Sequence, residues 1–125
     1  MFNFSGERPN NLGVTNGKLT ACPNTPNCVN SQSQNVQAKI EPLPMVSIAE
    51  LKKVVEGMEK TTIVKETDDY LYAEFQSKLM GFVDDVEFYR DSQANVVQVR
   101  SASRLGQSDL GVNRKRVEEI RSKLQ

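Results

Sequence analysis

Histidine is absent from the 125-residue chain, and cysteine occurs only twice. Without histidine, the sequence excludes Ser–His–Asp and Cys–His catalysis as well as any histidine-based metal site. Two cysteines alone fall short of the four ligands of a structural zinc site. We therefore expect a protein without a metal or other cofactor, and the sequence identifies no catalytic residue.

Net charge is also absent, because 16 basic side chains balance 16 acidic ones. This balance argues against a dedicated nucleic-acid or membrane-surface binder. The charges are unevenly distributed, since residues 96–125 hold seven basic and three acidic side chains. This local excess either neutralises the rest of the chain or forms an anion site.

Long apolar runs are missing as well, since none approaches the ~20 residues of a membrane span. Residues 1–25 lack the basic segment followed by an apolar one that marks an export signal. From these two absences we expect a small soluble cytoplasmic protein without a transmembrane segment.

Apolar side chains are scarce in residues 1–45, which contain all five prolines. Turn signals such as Asn16-Gly17 predict an irregular arm there. Scattered apolar residues, among them Leu12 and Leu19, predict that the arm wraps residues 46–125 as an ordered strap. The two parts together, residues 1–125, are expected to form a single domain.

Residues 46–125 carry regular helix and strand patterns. Ser47 and Glu50 form a capping box, and apolar residues at helical spacing predict helices over 48–59 and 112–124. Runs rich in β-branched and aromatic residues predict four strands, over 61–66, 70–76, 82–90 and 95–102. Short breaks between them favour antiparallel pairing. The predicted fold is α+β: a long irregular N-terminal strap, a helix, a four-stranded antiparallel meander and a C-terminal helix.

The last predicted hairpin allows a prediction of register. With Arg90 opposite Asn95, Asp85 lies opposite Arg100, and both side chains point to the exposed face of the sheet. Such an exposed ion pair would contribute under about 1 kcal/mol to stability.

Asp84 then points to the apolar face of the sheet, because successive side chains of a strand alternate between faces. A buried carboxylate needs a charged or hydrogen-bonding partner. Ser101 is expected directly opposite, and Arg104, Arg8 and Arg116 are the arginines that could reach. Asp84 is either one half of a structural ion pair or a functional carboxylate in a pocket.

Cys22 and Cys28 bracket a loop of five residues that contains two prolines. A disulfide here would close a ring of about seven residues and stabilise the fold by about 2.4 kcal/mol in the chain-entropy model. The alternatives are neighbouring structural thiols, a redox pair or a metal site. The spacing favours a disulfide or structural thiols, because redox pairs usually have the tighter C-x-x-C spacing.

The segment Arg100-Ser-Ala-Ser-Arg104-Leu-Gly106 leaves the last predicted strand and enters a turn. Its guanidinium and hydroxyl groups, with the N-terminus of the final helix, could bind a phosphate or a carboxylate. The alternative is that the arginines pair with carboxylates of the protein itself. The candidate binding or structural constellation comprises Asp84, Arg100, Ser101, Ser103, Arg104, Asp109, Asn113 and Arg116.

Three segments of the sequence together resemble the domain-of-unknown-function 1499 family of bacteria, cyanobacteria and plastids. They are Arg8-Pro-x-x-Leu-Gly with Leu19-x-x-Cys22-Pro-x-x-Pro26-Asn27-Cys28-Val29, then Gly81-Phe-Val-Asp-Asp-Val-Glu-Phe88, and Arg100-Ser-Ala-Ser-Arg104-x-Gly-x-x-Asp109-x-Gly-x-Asn113-Arg. The resemblance implies no activity, but it implies that the three segments belong to one constellation. Many relatives look exported or lipid-anchored and plant ones look plastid-targeted, which points to compartments other than the cytoplasm.

The function we expect from these observations is that of a non-enzymatic binding or accessory protein, with an unidentified protein or a small anion as its partner. The candidate site lies where the Cys22–Cys28 loop, the Asp84 strand and residues 100–113 meet. The alternative is a small enzyme or small-anion binder that uses Asp84 with Arg100 or Arg104. A deep pocket that holds Asp84 and an unpaired arginine would favour this alternative.

Overall fold

The computed structural model describes residues 5–77, 81–106 and 108–124, and their fold is α+β, as predicted. The N-terminal part contributes four short strands, and two helices enclose a run of four longer ones. In chain order the elements are β1 (Val14–Thr15), β2 (Lys18–Leu19), β3 (Cys28–Asn30), β4 (Leu43–Pro44), α1 (Ile48–Glu56), β5 (Thr61–Glu66), β6 (Tyr70–Gln76), β7 (Val83–Asp91), β8 (Val96–Ser103) and α2 (Val112–Lys123).

The main sheet has six strands, so the prediction of a four-stranded meander was incomplete. Strands β5 to β8 form the predicted antiparallel meander, and β3 and β4 from the N-terminal arm both pair antiparallel with β8. If β8 were an unpaired edge strand, its outer N–H and C=O groups would have no hydrogen-bond partners. Strands β3 and β4 of the arm supply those partners. The arm is therefore not irregular throughout, since β1 and β2 also form a small hairpin.

The predicted register of the β7–β8 hairpin was wrong by two residues. Asp91 pairs with Val96 across the strand ends, and its carboxylate accepts hydrogen bonds from the turn amides of Gln93 and Ala94. Asn95 lies in the turn with a positive φ of 56°, a conformation that asparagine tolerates well. The hairpin therefore closes later than predicted, but a shift of two leaves every side chain on its predicted face.

Cross-strand partners change with the register. Asp85 lies opposite Ala102 and Arg100 lies opposite Glu87, so the predicted Asp85–Arg100 pair does not form. Asp84 faces Ser103 on β8 and Phe75 on β6.

Both helices cover one face of the sheet and form the main core with it. Ser47 caps α1 by accepting a hydrogen bond from the Glu50 amide, as the capping box predicted, and α1 ends at Glu56, before Gly57. The most deeply buried apolar side chains are Leu51 and Val55 of α1, Val117 and Ile120 of α2, and Leu71, Val86, Phe88, Val97 and Val99 of the sheet.

The opposite face of the sheet is buried under the N-terminal arm, although the sequence predicted an exposed face. Leu19 of the β1–β2 hairpin packs against Tyr70 and Tyr72. The solvent-exposed fractions of Asp85 and Glu87 are only 2% and 0%. Charged side chains on this face must therefore be paired within the protein. In the described part of the chain, neither helix has the length and apolar character needed to cross a membrane.

Candidate functional site

Asp84 forms a buried ion pair with Arg116 on the helix-covered face. The Nη1 atom of Arg116 lies 2.9 Å from a carboxylate oxygen of Asp84, and both side chains are mostly buried. The same Nη1 donates to Asn113 Oδ1 at 2.9 Å and to Ser101 Oγ at 3.3 Å. The guanidinium also lies 4.8 Å from the centre of the Phe75 ring. Arg116, which the sequence placed among the possible partners of Asp84, is the one that holds it.

Asn113 links the first turn of α2 to three other parts of the protein. Its side chain is fully buried and accepts from Ser101 Oγ at 2.6 Å. Its amide nitrogen lies within hydrogen-bonding distance of the Asp109 carboxylate, Ser103 Oγ and the Asn27 carbonyl. Asn113 therefore ties together β8, the turn before α2 and the loop between the two cysteines.

Asp109 occupies the N-terminus of α2. Its carboxylate accepts from the backbone amides of Gly111 at 2.8 Å and Asn113 at 3.1 Å. Burial by itself raises the pKa of this carboxyl group, but the hydrogen bonds from Asn113 and Gly111 outweigh it and lower the pKa below its ordinary value. The partial positive charge of the helix end is thus already matched by a carboxylate of the protein.

A pocket of about 340 Å³ opens beside this cluster, between the start of β7, the turn before α2 and α2 itself. Asp84, Arg116, Ser103 and Asp109 contribute polar groups to its wall. Its rim includes four large apolar side chains that are substantially exposed to solvent: Phe82, Leu105, Leu110 and Val112.

Arg104 lies on the arm-covered face and is separated from Asp84 by the sheet. Its Nε and Nη2 atoms donate to the two carboxylate oxygens of Asp85 at 2.9 and 2.8 Å, and Nη2 also contacts Glu74. The hydrogen bonds that Arg104 donates to Asp85 are the largest cause that raises the pKa of its guanidinium. Asp85 accepts a further hydrogen bond from the hydroxyl of Tyr72.

Arg100 is buried on the same face, beside Glu87. Its Nη1 atom lies 3.8 Å from Glu87 Oε2, while Glu87 Oε1 accepts from Tyr70 Oη at 2.6 Å and from the Gly13 amide at 2.8 Å. Burial raises the pKa of Glu87 and lowers that of Arg100. The structure therefore does not bring Arg100 or Arg104 to Asp84, and the predicted constellation divides between the two faces of the sheet.

A tyrosine–carboxylate network on the arm-covered face was not predicted from the sequence. It comprises Tyr70, Tyr72, Glu74 and Glu87, which lie on the face that was predicted to be exposed to solvent. The available signal was the arm itself, since Leu19 needs an apolar surface to pack on and the two tyrosine rings supply it.

Cys22 and Cys28 form a disulfide, with their Cα atoms 5.7 Å apart, as the spacing favoured. The loop that they close contains Asn27, whose side-chain nitrogen donates to the Gly106 carbonyl at 2.8 Å. The Asn27 carbonyl accepts from the Ser103 amide at 2.9 Å and from Asn113 Nδ2 at 3.2 Å. The cysteine loop, the end of β8 and the start of α2 are thus in direct contact.

The fold and the site define a small α+β protein in which a disulfide-closed loop contacts residues that line a pocket. No group of three or more metal-ligating side chains that could hold an ion lies within residues 5–77, 81–106 and 108–124. A family model described as "Protein of unknown function (DUF1499)" matches residues 18–124, and the chain belongs to that family. Comparison with curated proteins gave no match, and neither did comparison with solved structures.

Proposed function

We propose that this protein is a non-enzymatic binding protein that takes a neutral, largely apolar group into the pocket beside Asp84 and Arg116. The observation that carries the proposal is the combination of exposed apolar side chains at the rim with charged groups that are already paired with each other. A volume of about 340 Å³ lies near the lower end of the range for small-molecule sites. It suits a small molecule, or one or two apolar side chains.

The charges of the pocket favour a neutral ligand over an anion. Arg116 is engaged by Asp84, Ser101 and Asn113. Asp109 occupies the N-terminus of α2, which would otherwise be the natural place for an anion. An anion would meet a guanidinium whose charge Asp84 already balances and a helix end that Asp109 already occupies, so the alternative of a small-anion binder or enzyme has less support.

Leu110 supports a binding role because the fold gains little from it. Its side chain is 89% exposed, and its φ of 54° lies in the left-handed region. For a residue with a Cβ this conformation costs about 1–2 kcal/mol, and such strain concentrates at functional sites. An exposed leucine held at this cost at the rim of a pocket is accounted for by contact with a ligand.

The test measures binding of the neutral fluorophore N-phenyl-1-naphthylamine to the parent and to Leu110→Asn. Asparagine tolerates a positive φ, so the variant should be more stable than the parent by about 1 kcal/mol. It should bind the probe about tenfold more weakly, because burial of a leucine contributes about 1.5–3 kcal/mol and not all of it is lost.

Val36→Ser is the matched control, because Val36 is an equally exposed apolar residue that does not line the pocket. It should leave the affinity unchanged. If Leu110→Asn binds the probe as tightly as the parent, or if both variants lose affinity equally, the probe does not bind in this pocket and the proposal is wrong. If the anionic analogue 1-anilinonaphthalene-8-sulfonate binds more tightly than the neutral probe, and Leu110→Asn does not change its affinity, the anion alternative is favoured.

A further inference from the structure

The disulfide loop is attached to one wall of the pocket. We propose that Cys22–Cys28 is a thiol–disulfide exchange site, and that its reduction by a dithiol loosens this wall and weakens ligand binding. The binding part of this inference rests on the proposed function, whereas the structural coupling does not.

Asn27 carries the coupling, because it lies inside the ring that the disulfide closes. Its side chain donates to the carbonyl of Gly106, which lines the pocket. Its carbonyl accepts from the amide of Ser103 and from the side chain of Asn113. Asn27 is thus hydrogen-bonded to the last residue of β8, to the turn that follows β8 and to the first turn of α2. Any change in the position of Asn27 reaches all three.

The two cysteine residues differ in accessibility, and we infer the direction of attack from this difference. Cys22 is partly exposed, whereas Cys28 retains 5% of its exposure. A thiolate of the dithiol attacks Cys22 Sγ, the S–S bond breaks, and Cys28 leaves as a thiolate that takes up a proton. The second thiol of the reductant then attacks its own sulfur in the mixed disulfide, and Cys22 leaves as a thiolate that is protonated in turn. Two electrons pass to the protein, and the reductant ends as a disulfide.

Reduction should release the loop without unfolding the sheet. Cys28 begins β3, which pairs with β8 from Cys28 to Asn30, and Val29 lies in the main core. These interactions do not depend on the disulfide. Residues 23–26 have no such strand pairing, so the ring closure restricts them. Asn27 is held in addition by its hydrogen bonds to Gly106, Ser103 and Asn113, and opening the ring removes one of its restraints. The expected effect is a local loss of order around Asn27, with a consequent change at Gly106 and the start of α2.

The first readout is amide hydrogen exchange before and after treatment with dithiothreitol, and it needs no ligand. The Ser103 amide donates to Asn27, so its exchange should accelerate by about tenfold, a typical coupling between linked sites. The Ser31 amide donates to the Val99 carbonyl at 2.9 Å and serves as the internal control. It should exchange at the same rate in both states, because β3 stays paired.

The second readout is the affinity for N-phenyl-1-naphthylamine, which should fall by about tenfold on reduction. The double variant Cys22→Ser/Cys28→Ser should behave as the reduced protein and should not respond to dithiothreitol. With the disulfide intact, Asn27→Ala should also weaken binding. Asn24→Ala, in an exposed residue of the same loop, should not.

The outcomes separate this inference from the proposed function. If the oxidised protein binds no probe while the Ser103 amide still responds to reduction, the proposed function fails and the coupling stands. If the probe binds, and reduction changes neither its affinity nor the exchange rate of the Ser103 amide, the disulfide is not coupled to the pocket and the inference is wrong. Loss of protection at Ser31 together with Ser103 would show general unfolding and would also overturn the inference.

Discussion

Removal of the Asp84 carboxylate tests the candidate site most directly. Loss of one partner from a buried ion pair costs about 3–5 kcal/mol, because the other charge stays buried. In Asp84→Ala the orphaned Arg116 keeps its contacts with Ser101, Asn113 and the Phe75 ring. We therefore expect the lower end of that range, about 3 kcal/mol. Asp84→Asn should cost about 1 kcal/mol, because the amide oxygen can still accept from Arg116.

Urea unfolding is the appropriate assay, with the slope m checked for constancy across the variants. With m of about 2 kcal/mol per molar, Asp84→Ala should lower the midpoint by about 1.5 M. Asp68→Ala, at an exposed aspartate, is the control and should unfold at the parent midpoint. If Asp84→Ala also unfolds there, the ion pair contributes nothing to stability and Asp84 is not buried as the structure places it.

Two further predictions concern the other charged groups. Arg104→Ala should destabilise the protein by about 3–5 kcal/mol, because Asp85 is left buried without its guanidinium, whereas Arg8→Ala, which removes an exposed partner of Glu74, should leave the urea midpoint unchanged. Asp109 has a lowered pKa in the folded state, so its stabilisation is present above its unfolded pKa of about 3.9 and is lost as the pH falls through the folded value. Asp109→Asn should therefore be about 1 kcal/mol less stable than the parent at pH 7, because a hydrogen bond to a charged acceptor is stronger than one to an amide. This difference should shrink as the pH falls through the folded pKa of Asp109. A stability difference that does not change with pH would contradict the role of the ionised Asp109 carboxylate as the acceptor for the Gly111 and Asn113 amides.

The elements that the sequence predicted correctly are those with a local signal. The capping box of α1, the stripe of α2 and the four long strands each extend over several residues, and periodicity is visible at that length. Strands β3 and β4 contain three and two residues and have no period of their own. They exist because β8 offers an open edge, which is a property of the folded sheet and not of the arm sequence.

Prediction of the site failed where it depended on which face was covered. The alternation of side chains along β7 placed Asp84 and Asp85 correctly on opposite faces of the sheet. It could not predict that the arm buries the face that carries Asp85. The expectation that Ser101 lies opposite Asp84 also suggested that Arg100 and Arg104, in the same segment, act with Asp84, whereas both arginine side chains lie on the other side of the sheet. The partner that Asp84 does have, Arg116, comes from a helix whose placement depends on tertiary packing.

The two ionic clusters differ in their surroundings on the two faces of the sheet. On the arm-covered face, Glu87 is fully buried, and its Oε2 and the Nε of Arg100 have no hydrogen-bond partner among the described residues. A buried pair with unsatisfied atoms adds little stability over apolar side chains, but the hydrogen bond from the Gly13 amide to Glu87 fixes where the arm lies. The arm encloses that cluster, and the cluster in turn holds the arm in place on the sheet. The Asp84–Arg116 pair has better-satisfied atoms, lines an open pocket and is linked through Asn113 to the disulfide loop, which is why we place the proposed ligand site on this side of the sheet.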